Sequence, residues 1–182
     1  MKLLYLHGFA SCGDSNKTRA LKAHFGDTHV LAPDLPVEPK EAIALAGELI
    51  RTENVTGLLG SSLGGFYATW LSCRYRLPAV LINPSVTPWR TLESYVGNNK
   101  FWCSGETFEW KEIYLKQLRR YAVTSPSKKS RLLVLLQSGD EVLDYRWAKS
   151  HYKGAEIIVE EGGNHRFENL PDYFGRIETF FV

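Results

Sequence analysis

A serine held between two glycines, in Gly60-Ser61-Ser62-Leu63-Gly64, follows a short apolar run and precedes a helix-like pattern. G-x-S-x-G at a strand-to-helix junction turns a serine into a nucleophile, because the sharp turn pushes its hydroxyl out over the end of the sheet. Glycine is expected at 60 and 64, where strand and helix approach too closely for side chains. The pentapeptide is common by chance, however, and a lone serine is a weak nucleophile. It needs a base, a group that orients the base, and donors for a developing oxyanion. Without them the stretch is a glycine-rich turn with a solvated serine.

In an open α/β sheet such groups gather where strands end. Two later apolar runs exit into Ser138-Gly139-Asp140-Glu141 and Gly162-Gly163-Asn164-His165. Asp140 and His165 are the expected orienting acid and base, in the chain order serine, acid, histidine. Glu141 and Asp144 are rivals for the acid, and Asp140 leaves its strand first; its alternative role is to cap the next helix. His24 and His151 fall on helical patterns, and His29 begins a strand. His7 precedes Gly8 and Phe9 at the exit of the first run. The oxyanion donors are expected to be the backbone N–H of Leu63, at a helix N-terminus, and that of Phe9, where Gly8 permits close approach. A plain turn at His7-Gly8-Phe9 is the other reading. Ser61 lacks the glycine spacing and should point away.

The elements behind these residues alternate. Apolar runs near 2–6, 29–32, 55–59, 78–82, 131–137 and 155–159 read as six strands, continuously apolar rather than alternating. Helical spacing occupies about 17–25 (with Asn16 as cap), 40–52, 63–74, 145–152 and 172–182. This is the pattern of an α/β protein with a doubly wound, mainly parallel six-stranded sheet and helices on both faces. Asn83-Pro84 reads as a strand-ending turn. Residues 86–130 break the rhythm with eight aromatics, and fair helical spacing only from Phe108 to Tyr121. This is too short for its own core and reads as a cap-like insert in a single domain over 1–182.

Composition narrows the function. Apolar content of 44%, charged content of 23% and net charge +2 are ordinary for a globular protein and argue against a nucleic-acid partner. The insert holds eight basic residues against four acidic, a mild excess better read as a solvated helical face. No run nears the ~20 residues that span a bilayer. The start has neither the length nor the cleavage site of a signal peptide. Cys12, Cys73 and Cys103 have no metal-ligand spacing, so free thiols, a reducing cytoplasm and no metal are expected. A phosphate loop would need Lys-Ser/Thr after its last glycine, and Phe66 stands there instead. A dinucleotide fingerprint is absent after the first strand, so no cofactor is expected.

With these residues in place, the chain resembles the YqiA-type small bacterial esterases of the α/β-hydrolase superfamily. The likeness rests on Leu4-Tyr5-Leu6-His7-Gly8-Phe9, Gly60-Ser61-Ser62-Leu63-Gly64-Gly65 and Asn83-Pro84. It continues in Gly139-Asp140-Glu141-Val142-Leu143-Asp144-Tyr145 and Glu161-Gly162-Gly163-Asn164-His165. The resemblance implies a Ser62-Asp140-His165 triad acting on carboxylic or thioester acyl groups, and a sheet lacking the first two strands of larger hydrolases. Residues 86–130 depart most, so no substrate preference carries over through them. Acyl-ester hydrolysis, acyl-CoA thioester hydrolysis, acyl transfer to an alcohol and non-catalytic binding on the same fold remain to be separated.

Overall fold

The computed structural model describes residues 1–182. Its centre is one parallel sheet of six strands. The elements run β1 (Leu3–Leu6), α1 (Asn16–Phe25), β2 (Val30–Leu31), α2 (Pro39–Thr52), β3 (Gly57–Ser61), α3 (Leu63–Tyr75) and β4 (Ala79–Ile82). They continue as α4 (Pro88–Thr91), β5 (Gly97–Lys100), β6 (Thr107–Trp110), α5 (Glu112–Arg120), β7 (Leu132–Gln137), α6 (Tyr145–His151), β8 (Glu156–Glu160) and α7 (Phe174–Phe181). The six expected strands are therefore the six strands of the sheet, side by side in the order β2-β1-β3-β4-β7-β8, with β3 starting two residues later than expected.

The continuous apolar runs follow from burial on both faces. Leu3, Tyr5, Leu59, Val80, Ile82, Leu133 and Leu135 pack with α1 and α7, through Leu21, Phe25, Ile177 and Phe180. The alternate residues Leu4, Leu6, Leu58, Leu81, Val134 and Leu136 pack with Ala42, Ala46, Leu63, Phe66 and Leu71 of α2 and α3. Each strand thus feeds two cores, the arrangement that parallel sheets require. Helix α1 is capped by Ser15, whose hydroxyl accepts from the Thr18 N–H, rather than by Asn16. Pro39 opens α2 at a position where no N–H is needed.

Two further expectations fail. Residues 107–110 are not helical: they form strand β6, paired antiparallel with β5 in a hairpin. The aromatic spacing that read as one helix begins in that strand and continues, after Lys111, into α5. Nor are all thiols free. Cys12 and Cys103, 91 residues apart, form a disulfide, and only Cys73 is a free thiol. The hairpin folds across the loop that follows β1, and the Trp102 backbone N–H donates to the Ala10 carbonyl at 2.8 Å beside the bridge. Such a contact is invisible in the spacing of three cysteines, and the thiol count carries no argument about compartment. The remainder of the insert shares the main core. Trp110, Tyr114, Leu115 and Leu118 belong to the same buried cluster as α2 and α3. No helix is long and apolar enough to cross a membrane.

Candidate active site

Three strand exits converge on Ser62. It is the residue between β3 and α3, held at φ 55° and ψ −119°. A non-glycine residue there costs about 1–3 kcal/mol and persists only where the surroundings enforce it. The surroundings are visible. The Ser62 N–H donates to the Ile82 carbonyl at 3.0 Å, and the Ser62 carbonyl accepts from Gly65, Phe66 and Ser85. A Cβ on Gly64 would lie 1.9 Å from the Leu6 carbonyl oxygen, and one on Gly60 would lie 2.3 Å from that of Gly64. Both glycines therefore have the steric role expected of them. Ser61, last in β3, is buried.

The Ser62 hydroxyl lies 3.0 Å from His165 Nε2, and His165 Nδ1 lies 2.8 Å from Asp140 Oδ2. The Asp140 side chain is 1% exposed and that of His165 19%. Asp140 uses its other oxygen, Oδ1, to accept from the Val142 and Leu143 N–H groups at 2.9 and 2.8 Å. One carboxylate thus holds its own turn and the imidazole together. The cap of α6 is Asp144, which accepts from the Arg146 N–H. Glu141, the other rival, accepts the backbone N–H of His165 at 3.0 Å. That bond holds its carboxyl below the usual carboxylate range. Glu141 therefore grips the loop that carries His165, not the ring.

On the opposite side runs the loop after β1. A Cβ on Gly8 would come within 3.2 Å of Ser62 Cβ, a tight contact, so this backbone passes close beside the serine. The Phe9 N–H donates to no group of the chain. Leu63 is the first residue of α3, and an N–H in the first turn of a helix has no intrahelical acceptor. Buried His7 fixes the loop. Its Nε2 accepts from the Leu35 N–H at 3.0 Å, so the ring proton sits on Nδ1 and is donated to the Gly8 carbonyl at 2.9 Å. Burial lowers the His7 pKa from its usual 6.5, which keeps the ring neutral.

Two residues to which the sequence reading gave no part in the site, Asn83 being read only as a strand-ending turn, tie the exits together. Asn83, 2% exposed and at φ 40°, accepts the Gln137 N–H on Oδ1. Its Nδ2 donates to the Asn164 and His165 carbonyls at 3.1 and 3.4 Å. Gln137, also 2% exposed, accepts the Asn164 N–H and donates to Glu160 and Asn169. A polar residue ending an otherwise apolar strand was the available signal for Gln137. For Asn83 it was the asparagine in front of a proline. Of seven non-glycine residues at positive φ, four stand at or after exits on this side: Ala10, Ser62, Asn83 and Phe167.

Known proteins place this architecture. A family model described as "Uncharacterised protein family (UPF0227)" matches residues 2–182. A UPF0227 protein of Citrobacter koseri is 26% identical over 186 residues, covering 98% of this chain and 97% of its own. Among solved structures, alpha/beta hydrolase domain-containing protein 10 from mouse superposes with a TM-score of 0.74 at 12% identity, covering 100% of this chain and 90% of its own. A monoacylglycerol lipase of Paleococcus ferrophilus superposes with a TM-score of 0.71 at 13% identity, covering 98% of this chain and 93% of its own. The fold is that of the α/β hydrolases, as the sequence resemblance implied.

Proposed function

The chain belongs to the UPF0227 family, and from that premise and the site's geometry we propose that it is a serine hydrolase that cleaves carboxylic acyl esters through an acyl-Ser62 intermediate. One observation carries the reading: His165 bridges Ser62 Oγ at 3.0 Å and Asp140 at 2.8 Å. In the first half-reaction Ser62 Oγ attacks the acyl carbon, and its proton passes to His165 Nε2. The carbonyl oxygen becomes an oxyanion facing the N–H groups of Phe9 and Leu63. As the carbon–oxygen bond to the leaving group breaks, His165 gives that proton to the departing alkoxide. In the second half, water attacks the acyl-serine and loses a proton to His165, which gives it to Ser62 Oγ as the bond from the acyl carbon to Oγ breaks and the acid leaves. Asp140 holds Nδ1–H throughout and stabilises the transient imidazolium. Neighbours on this fold that are an esterase domain and a monoacylglycerol lipase support the reaction class. Residues 86–130, tethered beside Phe9, serve as a cap on the same domain.

A short-chain nitrophenyl ester should give burst release of nitrophenol, and a fluorophosphonate should label Ser62. Ser62→Ala should lose about 10⁴-fold or more in kcat and all labelling. Turnover by Ser62→Ala at the parent rate would end the proposal. An acyl-CoA and its matched simple ester, compared by kcat/KM, separate thioesterase from esterase. The exposed basic residues Lys116, Arg119 and Arg120 of α5 are the features a CoA phosphate would meet. Adding a primary alcohol tests acyl transfer, since alcohol and water compete for one acyl-enzyme. Absence of both labelling and turnover would leave a binding protein.

A further inference from the structure

The loop between β1 and α1 carries the Phe9 N–H and is pinned to the main domain at its two ends. At the start, His7 accepts from the Leu35 N–H and donates to the Gly8 carbonyl. At the far end, the Gly13 N–H donates to Asp34 Oδ1 at 2.7 Å, and Ser15 caps α1. Between them Ala10 stands at φ 56°, in the left-handed region that an alanine leaves unless its surroundings enforce it. Here the insert supplies the enforcement. The Ala10 carbonyl accepts from the Trp102 backbone N–H at 2.8 Å, and two residues further on Cys12 is bonded to Cys103. We propose that the Cys12–Cys103 bridge is a redox switch on the oxyanion loop. Closed, it holds Ala10 and Phe9 in the productive conformation; opened by a dithiol, it releases them and turnover falls. This inference rests on the serine-hydrolase reading.

The bridge is placed where a reductant reaches it. Cys103 is exposed, in the turn between β5 and β6, and Cys12 is half-buried. A thiolate of the dithiol attacks Cys103 Sγ, the S–S bond breaks, and Cys12 leaves as a thiolate that takes up a proton. The second thiol then attacks the reductant's own sulfur in the mixed disulfide. That step frees Cys103 as a thiol and leaves the reductant as a cyclic disulfide, so two electrons pass from dithiol to bridge. The hairpin itself does not depend on the bridge. Its turn is closed by the Phe101 N–H on the Glu106 carbonyl and the Gly105 N–H on the Phe101 carbonyl, and β5 stays paired with β6. What is lost is the covalent tether to the first loop. The Phe9 ring contacts and the Trp102–Ala10 bond remain. Trp102 is 81% exposed, so its side chain adds little packing and water competes for that bond. With both ends of the loop anchored, a change of φ at Ala10 has to be absorbed by its neighbours, and Phe9 is one of them. The Phe9 N–H then leaves the place of the developing oxyanion, where complete loss of one donor costs on the order of 10²–10³ in rate.

The test compares oxidised and dithiothreitol-treated protein on nitrophenyl acetate. Treatment should raise the free thiols from one to three per chain. It should lower kcat about tenfold or more with KM little changed, while far-UV circular dichroism keeps the native signal. Oxidised glutathione should restore the rate. Cys103→Ser should sit at the lower rate with or without the reductant. Glycine carries no backbone penalty at φ 56°, so Ala10→Gly should lose less than about threefold on reduction, a rescue that a general loss of stability would not give. A parent with three thiols counted and kcat unchanged overturns the switch. So does loss of the native signal on reduction, which makes the bridge a structural staple, and so does an equal loss of rate in Ala10→Gly. In each of these cases fluorophosphonate labelling of Ser62 in the oxidised chain leaves the nucleophile standing. A chain neither labelled nor active on any ester in either redox state overturns the serine-hydrolase reading, and the switch with it.

Discussion

The strand exits and the insert hold their side chains by opposite means. At the exits, almost every contact is directional. Asp140 spends one oxygen on two amides and the other on His165. Asn83 clasps the ends of β7 and the histidine loop, and Glu141 takes the His165 N–H. In the insert, the side chains facing Phe9 are aromatic rings in edge contact. One backbone hydrogen bond and one disulfide anchor the hairpin. Hydrogen bonds fix angles, because they weaken steeply off-axis. Apolar packing is non-directional and fixes volume instead. Proton transfer needs the first and the seating of the insert beside Phe9 needs the second, so the two regions should fail in different ways.

The sharpest test of that division is Asp140→Asn. It keeps the shape of the exit and loses the charge and the tautomer control, so kcat should fall about 10⁴-fold with KM little changed. A fall of less than tenfold in steady-state assays would mean that the exits do not set the rate. Next is Cys103→Ser, which opens a covalent loop of 91 residues. It should cost about 2–4 kcal/mol in urea unfolding, the range usual for a long closed loop. Unchanged stability would mean that the ring contacts alone hold the hairpin.

Asn83→Ala should lower kcat about 10–100-fold, leave KM nearly fixed and cost about 1–3 kcal/mol, since it strips the acceptor from the buried Gln137 N–H. Asn83→Asp restores that acceptor but not the donors to the Asn164 and His165 carbonyls. Its second oxygen would face those two carbonyls as a buried, unpaired acceptor, so stability should fall at least as far as in Asn83→Ala. A kcat of Asn83→Ala within twofold of the parent would reduce Asn83 to a packing residue.

The smallest effect concerns His7. Its folded pKa is lowered by burial, so the unfolded chain takes up the proton at higher pH than the folded chain does. Stability from this group is complete above about pH 6.5 and declines as pH falls below it. Parent Tm should drop more steeply between pH 7 and 5 than that of His7→Gln. Parallel curves would show that the oxyanion loop tolerates a charged ring.

Sequence made the two regions unequally readable. The six strands announce themselves because burial on both faces demands unbroken apolar runs, and exits such as Gly139-Asp140 and Asn164-His165 follow at once. Phe108 and Trp110 misled because a strand running into a helix through Lys111 imitates one helical stripe. Cys12 and Cys103 could not be paired because their approach depends on how the hairpin crosses the first loop. Glu141 looked like a competitor for the imidazole, and only the fold separates a ring partner from a backbone partner.

The backbone angle at Ser62 carries a consequence for how this molecule responds to selection. Glycine has no penalty at φ 55°, so Ser62→Gly should leave the chain as stable as before or more so while removing its nucleophile. A library screened for heat resistance alone would drift toward that substitution. Only a screen that also demands turnover would keep the serine.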